Sequence, residues 1–355
     1  EANEETRKIY KEAMNKINKT AEIPPVWQKG QIQRLYKGKG IKGKCSNERG
    51  ITLSSNFGKL YERIINERIL EQINMTEAQA GGRRGSSTVD HIVLIKELIA
   101  AAKRQKKDAY IAYLDVAKAY DKAWLKAIMY VLYKEGLQDN HWTILKRLNE
   151  NLTATLHTKF GLTREITIKD SIRQGGVPST TMYGILMDEI NKEIKKENLG
   201  IQIEGMTEKI GSLLWVDDVC AVETSKVNFQ TELDITNNTS NIYHIEYGAS
   251  KSNTQRINHT RNKEEMPIFK LGEMELKQAD KYKYLGLIQN EKNNNVDHFK
   301  NTKGKVEAAY QQMLAAAGTA DFYNIEMEVI WTVVEKCISP IITYAGEAWE
   351  IKNSN

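Results

Sequence analysis

Hydrophobic residues recur along the chain at two spacings, and each switch between them marks a new element. Residues 1–20 are polar with Ile9, Ala13 and Ile17 on one helical stripe, and Pro24-Pro25 ends that pattern. Residues 56–73 set Leu60, Ile64, Ile65, Ile69 and Ile73 on one face, the spacing of an amphipathic helix. Helical patterns return over 89–103, from Tyr120 through Trp124, Ala127 and Val131 to a closing Gly136, and over 139–152, 179–196 and 231–243. Runs rich in β-branched and aromatic residues predict strands at 109–116, 153–160 and 163–168, and at 213–216 and 219–222 around Asp217-Asp218. Residues 268–289 alternate in strand fashion, broken by Gly272 and Gly286, and 296–317 and 325–349 predict closing helices. Interleaved helices and hairpin strands make the fold class α+β.

The central stretch is Gly211 to Val222, GSLLWVDDVCAV. Two strands joined by a tight turn at Asp217-Asp218 is the simplest pattern, and aspartate suits a turn on its own account. Two anions pressed between apolar strands also repel and lose solvation, which a divalent cation would relieve. Asp115 closes the apolar run Ala109–Leu114 where the pattern turns helical, a position that fits a ligand or catalytic acid and equally a helix cap. Asp121 falls in the first helical turns, where the helix dipole favours an acid. The loop Gln79-Ala-Gly-Gly-Arg-Arg-Gly-Ser-Ser-Thr precedes a helix; its free N–H groups and Arg83 and Arg84 fit a phosphate cradle, or an ordinary flexible loop. Gly175 and Gly176 let the backbone pass close to something large and flat. Gly184, inside a helix, points to close approach of a partner.

Composition bounds the class. The chain has 355 residues, 41% hydrophobic and 27% charged, ordinary for a globular protein with two or three subdomains. Net charge is +5, gathered at Lys37, Lys39, Lys42 and Lys44 and at Lys103, Arg104, Lys106 and Lys107, as suits a polyanion or a solvated surface. Cys45, Cys220 and Cys337 lie far apart, with no CxxC pair, so neither a zinc module nor a disulfide framework is indicated. No apolar run approaches the roughly 20 residues of a membrane span, so no membrane partner is expected. The chain begins without methionine and reads as a piece of a longer protein.

Singly these motifs are weak; their order is specific. A strand-end Asp115, the Gln174-Gly-Gly helix start and the Asp217-Asp218 hairpin reproduce motifs A, B and C of a polymerase palm. The chain resembles the reverse transcriptases of non-LTR (LINE-like) retrotransposons over most of its length. Cys45-Ser-Asn-Glu-Arg-Gly-Ile-Thr-Leu with Gly58-Lys-Leu-Tyr-Glu-Arg-Ile is similar to that family's fingers signature, and Gln79–Thr88 to its next block. Ser250-Lys-Ser falls at motif D, Lys283-Tyr-Leu-Gly at motif E, and Tyr344-Ala-Gly-Glu-Ala-Trp resembles a thumb ending. Trp215 stands where the family has Phe or Tyr, and Val177-Pro-Ser-Thr replaces its Leu-Ser-Pro.

The resemblance implies a right-hand polymerase with fingers, antiparallel-sheet palm and helical thumb. Residues 1–108 would be an N-terminal extension and fingers, 109–136 palm, 137–168 fingers, 169–290 palm and 291–355 thumb. It implies an RNA-templated DNA polymerase that extends a primer with dNTPs on an RNA template and a DNA primer or target, inside a eukaryotic cell, in nucleus and cytoplasm. An RNA-templated RNA polymerase and a catalytically silent nucleic-acid-binding protein are the alternatives. Asp115, Asp217 and Asp218, with the Val116 carbonyl, would hold two Mg2+ ions, Mn2+ being the other candidate. Tyr120 would block a ribose 2′-hydroxyl, though the same stripe position suits a core aromatic. Gln174 and Gly175 would touch the incoming nucleotide, Arg83 and Arg84 its triphosphate or the template backbone, and Lys251 the leaving pyrophosphate, as proton donor or counter-charge. Arg49 would meet the template, and Lys283, Tyr284, Leu285 and Gly286 the primer.

Overall fold

The computed structural model describes residues 3–38, 40–169, 171–257, 264–317 and 326–349; Lys39 and Ile325 lie outside them. The chain opens with α1 (Glu4–Thr20), capped by the Asn3 side chain, then the hairpin β1 (Lys29–Tyr36) and β2 (Glu48–Leu53), and α2 (Asn56–Gln72), capped by Ser55. Next come α3 (Thr88–Arg104), β3 (Ala109–Asp115), α4 (Leu125–Lys134) and α5 (Asn140–Asn149). Strands β4 (Thr153–Thr158), β5 (Gly161–Leu162) and β6 (Ile166–Thr167) lead to α6 (Ser179–Lys196). The short pair β7 (Ile201–Gln202) and β8 (Lys209–Ile210) precedes β9 (Ser212–Trp215), β10 (Asp218–Glu223) and α7 (Lys226–Ile242). After β11 (Asn253–Ile257) come β12 (Lys270–Leu271), β13 (Met274–Glu275), β14 (Lys277–Gln278), β15 (Lys281–Tyr284) and β16 (Leu287–Asn290). Helices α8 (Val296–Ala317), α9 (Met327–Val333) and α10 (Ser339–Thr343) close the chain.

Two sheets organise these elements. The outer sheet runs β2-β1-β4-β5, with β6 also on β4; β1 pairs β2 antiparallel and β4 parallel. The central sheet runs β14-β11-β3-β10-β9, antiparallel from β11 to β9. Successive residues of a strand face opposite sides, and both sides of β3 are covered. Tyr110, Ala112 and Leu114 join a core with α4, α5, α6 and α7, while Ile111 and Tyr113 join a second core with Ile95, Leu98 and Ile99 of α3. That double burial is why β3 reads as an unbroken apolar run rather than an alternating one. Helix α6 is the pillar of the first core, with Met182, Tyr183, Ile185, Leu186 and Ile190 all buried.

Several sequence boundaries move for physical reasons. Residues after Asp115 form turns as far as Lys122, and α4 begins only at Leu125, so Tyr120 and Asp121 lie in turns rather than in a helix. Helix α7 starts five residues earlier than its apolar stripe, because Ser225 caps it by accepting from the Asn228 N–H. On α2, Leu60 is exposed and Tyr61 and Glu62 turn inward instead. The expected helix up to Trp349 breaks: α9 gives way to a π-helical turn, Val334–Ile338, before α10. Pro340 has no N–H to continue the regular ladder, and the Ser339 N–H bonds five residues back to the Val334 carbonyl.

Candidate functional site

The site is built where β3, β10 and the turn between β9 and β10 meet. Asp218 pairs with Trp215 across the hairpin and with Asp115 across the sheet. The turn is therefore Val216-Asp217, one residue earlier than the Asp217-Asp218 turn that the sequence predicts, and Asp218 is the first residue of β10. Directly paired residues in an antiparallel ladder have Cβ atoms roughly 5 Å apart, so Asp115 and Asp218 are neighbours, with Asp217 adjoining. Val216 lies next to them with φ +58, in the left-handed region that a β-branched residue rarely enters. Only the first of the two turn residues has positive φ, a conformation for which hairpins usually use glycine.

A second segment wraps Asp115. Its carbonyl accepts from the Gly248 N–H at 2.8 Å, and its own N–H donates to Ser252 Oγ at 3.2 Å. Lys251 Nζ bonds both Asp115 carboxylate oxygens, at 2.7 and 3.1 Å. Ala117 N–H donates to the Glu246 carbonyl, so both hydrogen bonds around the Val116–Tyr247 bridge belong to neighbours and the Val116 carbonyl takes no part in it.

Electrostatics mark the acids as uncomfortable. Burial, then the facing Asp217 and Asp115 charges, push the Asp218 carboxyl up to about 6. Burial also raises Asp217, with Asp115 adding to it, while its own backbone, Lys251 and Arg49 pull the other way. Arg49 lies on β2, so the outer sheet reaches the field of these acids. Among the described residues no three His, Cys, Asp or Glu side chains form a set preset for a metal ion. Asp115 gives both oxygens to Lys251, which leaves the acids adjacent but not closed into a ligand set. The donors present are all oxygens and mutually repelling, the chemistry that suits a hard divalent cation.

The glycine-rich segment before α6 is pinned at both ends. Arg173 and Glu62, each almost wholly buried, form an ion pair; Arg173 also donates to the Trp27 carbonyl at 3.0 Å. Glu62 Oε2 accepts from the Val177 N–H at 3.0 Å. Between these pins the Gln174 carbonyl accepts from the Thr52 N–H of β2, at 2.8 Å. Gly175 has φ +115, and a Cβ there would lie 2.8 Å from the Thr52 carbonyl oxygen. What passes close to this glycine is therefore β2 of the same chain. Tyr120 lies alongside: its carbonyl accepts from the Ile172 N–H at 3.2 Å, its hydroxyl sits 3.3 Å from Thr180 Oγ1, and its ring packs on Tyr183.

Other expected residues sit elsewhere. Arg83 donates to the Thr76 carbonyl at 3.3 Å, and Arg84 pairs with Glu67 of α2 at 3.1 Å. The N-terminus of α3 is closed by a capping box of Ser87 and Asp90, so an acid occupies the helix start on which the phosphate-cradle reading draws. Lys283 is exposed, but Tyr284, the last residue of β15, is buried with its hydroxyl 3.5 Å from His91 Nδ1, so its ring faces the core and not a primer. Leu285 and Gly286 form the β15–β16 turn, both with positive φ, and the Tyr344 hydroxyl donates to the Leu285 carbonyl. The residue that sequence reasoning missed outright is Glu62. Its signal was legible: spacing from Gly58 to Ile65 and Ile69 places it on the buried stripe of α2, where an acid needs a partner.

Residues 37–289 match the family model described as reverse transcriptase (RNA-dependent DNA polymerase). The Pol polyprotein of the type-1 retrotransposable element R2 of Popillia japonica is 27% identical over 65% of this chain and 32% of its own length. A probable RNA-directed DNA polymerase from transposon X-element of Drosophila melanogaster is 20% identical over 94% of this chain and 36% of its own length. The chain thus spans about a third of the length of these curated relatives. Among solved structures, apo telomerase from Candida Tropicalis superposes with TM-score 0.52 at 15% identity, covering 80% of this chain and 52% of that one, a likeness of fold.

Proposed function

The chain belongs to the reverse transcriptase family, with the right-hand polymerase fold, and from that premise we propose that it copies RNA into DNA. It extends a primer 3′-hydroxyl with dNTPs along an RNA template, in the service of retrotransposition within the nucleus and cytoplasm of a eukaryotic cell. The observation that carries this reading is the cross-strand pairing of Asp115 with Asp218, beside Asp217. Asp115, Asp217 and Asp218, with the Val116 carbonyl, would hold two divalent cations, Mg2+ or Mn2+. When bound, they supply Lewis-acid stabilisation of the attacking and leaving oxygens. The residues fit that group because an oxygen-only set of repelling, desolvated carboxylates is stabilised by positive charge.

The protein's own residues do the rest. Lys251, bonded to Asp115, neutralises it before substrates arrive and would meet the leaving pyrophosphate afterwards, as proton donor or counter-charge. Tyr120, held by Thr180 and Tyr183, would exclude a ribose 2′-hydroxyl. Gln174 and Gly175, tied to β2 through Thr52, form the rigid floor under the nucleotide. Arg49 approaches from the outer sheet to the template side, and Arg83 and Arg84 form a basic rim for the backbone. Lys283, Leu285 and Gly286 face the primer. In this division residues 1–108 and 137–168 serve as N-terminal extension and fingers, 109–136 and 169–290 as palm, and 291–355 as thumb. Among the described residues no helix is long and apolar enough to cross a membrane.

The test is extension of oligo(dT) on poly(rA) with dTTP and Mg2+. Asp217→Asn should lower the rate on the order of a thousandfold, with primer–template affinity nearly unchanged. Rapid extension by Asp217→Asn, or by wild type in excess EDTA, would overturn the reading.

A further inference from the structure

One wholly buried polar side chain touches the acid-bearing turn without belonging to the acids. Gln79 is 0% exposed. Its Oε1 accepts from the N–H of Val216 at 3.0 Å and of Gly81 at 3.1 Å. Its Nε2 donates to the carbonyls of Gly184 at 3.3 Å and Val216 at 3.5 Å. One amide thus grips both backbone groups of the residue whose φ is +58. It ties that residue to α6 through Gly184.

The surroundings are shaped for this grip. Residues 78–80 run parallel to β9: the Leu214 N–H donates to the Ala78 carbonyl at 2.7 Å, and the Ala80 N–H to the Leu214 carbonyl at 3.1 Å. A Cβ on Gly81 would fall well inside contact distance of Val216 N, and one on Gly184 would lie 3.6 Å from the Gln79 amide carbon. Gly81 therefore lets the turn approach, while at Gly184 the amide lies at ordinary contact distance. Among the hydrogen bonds of the described residues, no other side chain engages the Val216 N–H or carbonyl.

We propose that Gln79 is a positioning residue for the acidic pair: its amide holds the Val216 peptide in the left-handed conformation that aims Asp217 and Asp218 at Asp115. A left-handed valine is costly alone, and a buried bidentate amide is the contact able to select that state over an extended one. The inference rests on the reading of these acids as the catalytic set.

The experiment uses Gln79→Met, close in volume but without any of the four hydrogen bonds. Expected are a kcat on poly(rA)/oligo(dT) lowered roughly 10- to 100-fold and primer–template Kd within about twofold of wild type. Hydrogen exchange of the 213–220 segment in metal-free protein should be at least about tenfold faster. Adding Val216→Gly should recover much of the loss, because glycine adopts positive φ unaided. Unchanged kcat and exchange, a parallel loss of template affinity, or no recovery on adding Val216→Gly would overturn the assignment. Should Gln79→Met not fold, Gly81→Ala carries the test: its Cβ displaces the Val216 peptide, so slow turnover with intact binding supports the proposal and wild-type turnover ends it. An active Asp217→Asn would instead remove the parent reading, whereas an inactive Asp217→Asn beside a wild-type-like Gln79→Met removes this inference alone.

Discussion

Strands β3 and β1 are of similar length, yet β3 buries six of its seven residues and β1 leaves five of its eight exposed. The central sheet is covered on both faces and carries the acids at the end of its most buried strand. The outer sheet is the more exposed; Thr52 of β2 bonds Gln174, and beside that contact Glu62 and Arg173 form a buried ion pair that reaches the Trp27 carbonyl just before β1. Rigidity near the acids is thus a matter of apolar packing, while the approach to them is set by hydrogen bonds and one ion pair. On the proposed function, the acids would need a platform with little motion, and the outer sheet, which would receive and release a long polymer, would benefit from fewer apolar contacts.

The contrast can be broken most sharply at Glu62. Glu62→Gln leaves the Arg173 guanidinium buried opposite a neutral amide and should cost about 3–5 kcal/mol, read by denaturant unfolding. The paired change Glu62→Leu with Arg173→Met should recover much of it. A loss below about 1 kcal/mol would mean that this ion pair does not brace the outer sheet. Next in size, Ile111→Ala in β3 should cost about 2–5 kcal/mol, whereas Leu35→Ala in β1 should stay within about 0.5 kcal/mol. Equal costs would erase the difference between the sheets.

A smaller effect, confined to the central sheet, comes from acid. His91 of α3 is buried edge-on to Trp215, and burial holds its imidazole down at about 4. The unfolded chain therefore binds more protons between about 4 and its ordinary value near 6.5. The contribution of this group is full above that window and is lost as pH falls through it, by at most about 3 kcal/mol. His91→Phe should flatten the fall in stability between pH 7 and 4.5; an unaltered slope would assign the acid sensitivity elsewhere.

Much of the central sheet was legible because its chemistry is local. The apolar run ending at Asp115 and the two runs around Asp217 have the composition of buried strands, and pairing them needs only the sheet. The outer sheet was less so: Lys29–Tyr36 mixes lysine, glutamines and arginine with Ile32 and Leu35, and becomes a strand because β2 and β4 flank it. The capping box at Ser87 and Asp90 was present in the sequence but was outweighed by the neighbouring glycines and arginines. Contacts such as Gln79 with Val216 or Lys251 with Asp115 join residues more than a hundred positions apart, and no local pattern encodes them. The π-helical turn before Pro340 was readable in principle, since proline inside a helical stripe always asks where the missing donor's partner goes.

The strip formed by residues 78–80 along β9 has one more effect. Central strands that end without a neighbour present bare peptide groups to which another polypeptide can attach. One border is bridged by that strip at Leu214; the other carries β14, only two residues long. A chain whose most apolar layer offers so little rim is guarded against stacking into fibrils with its own copies. Lengthening the strip's loop by insertion would reopen that border, and the first symptom would be clumping rather than slower synthesis.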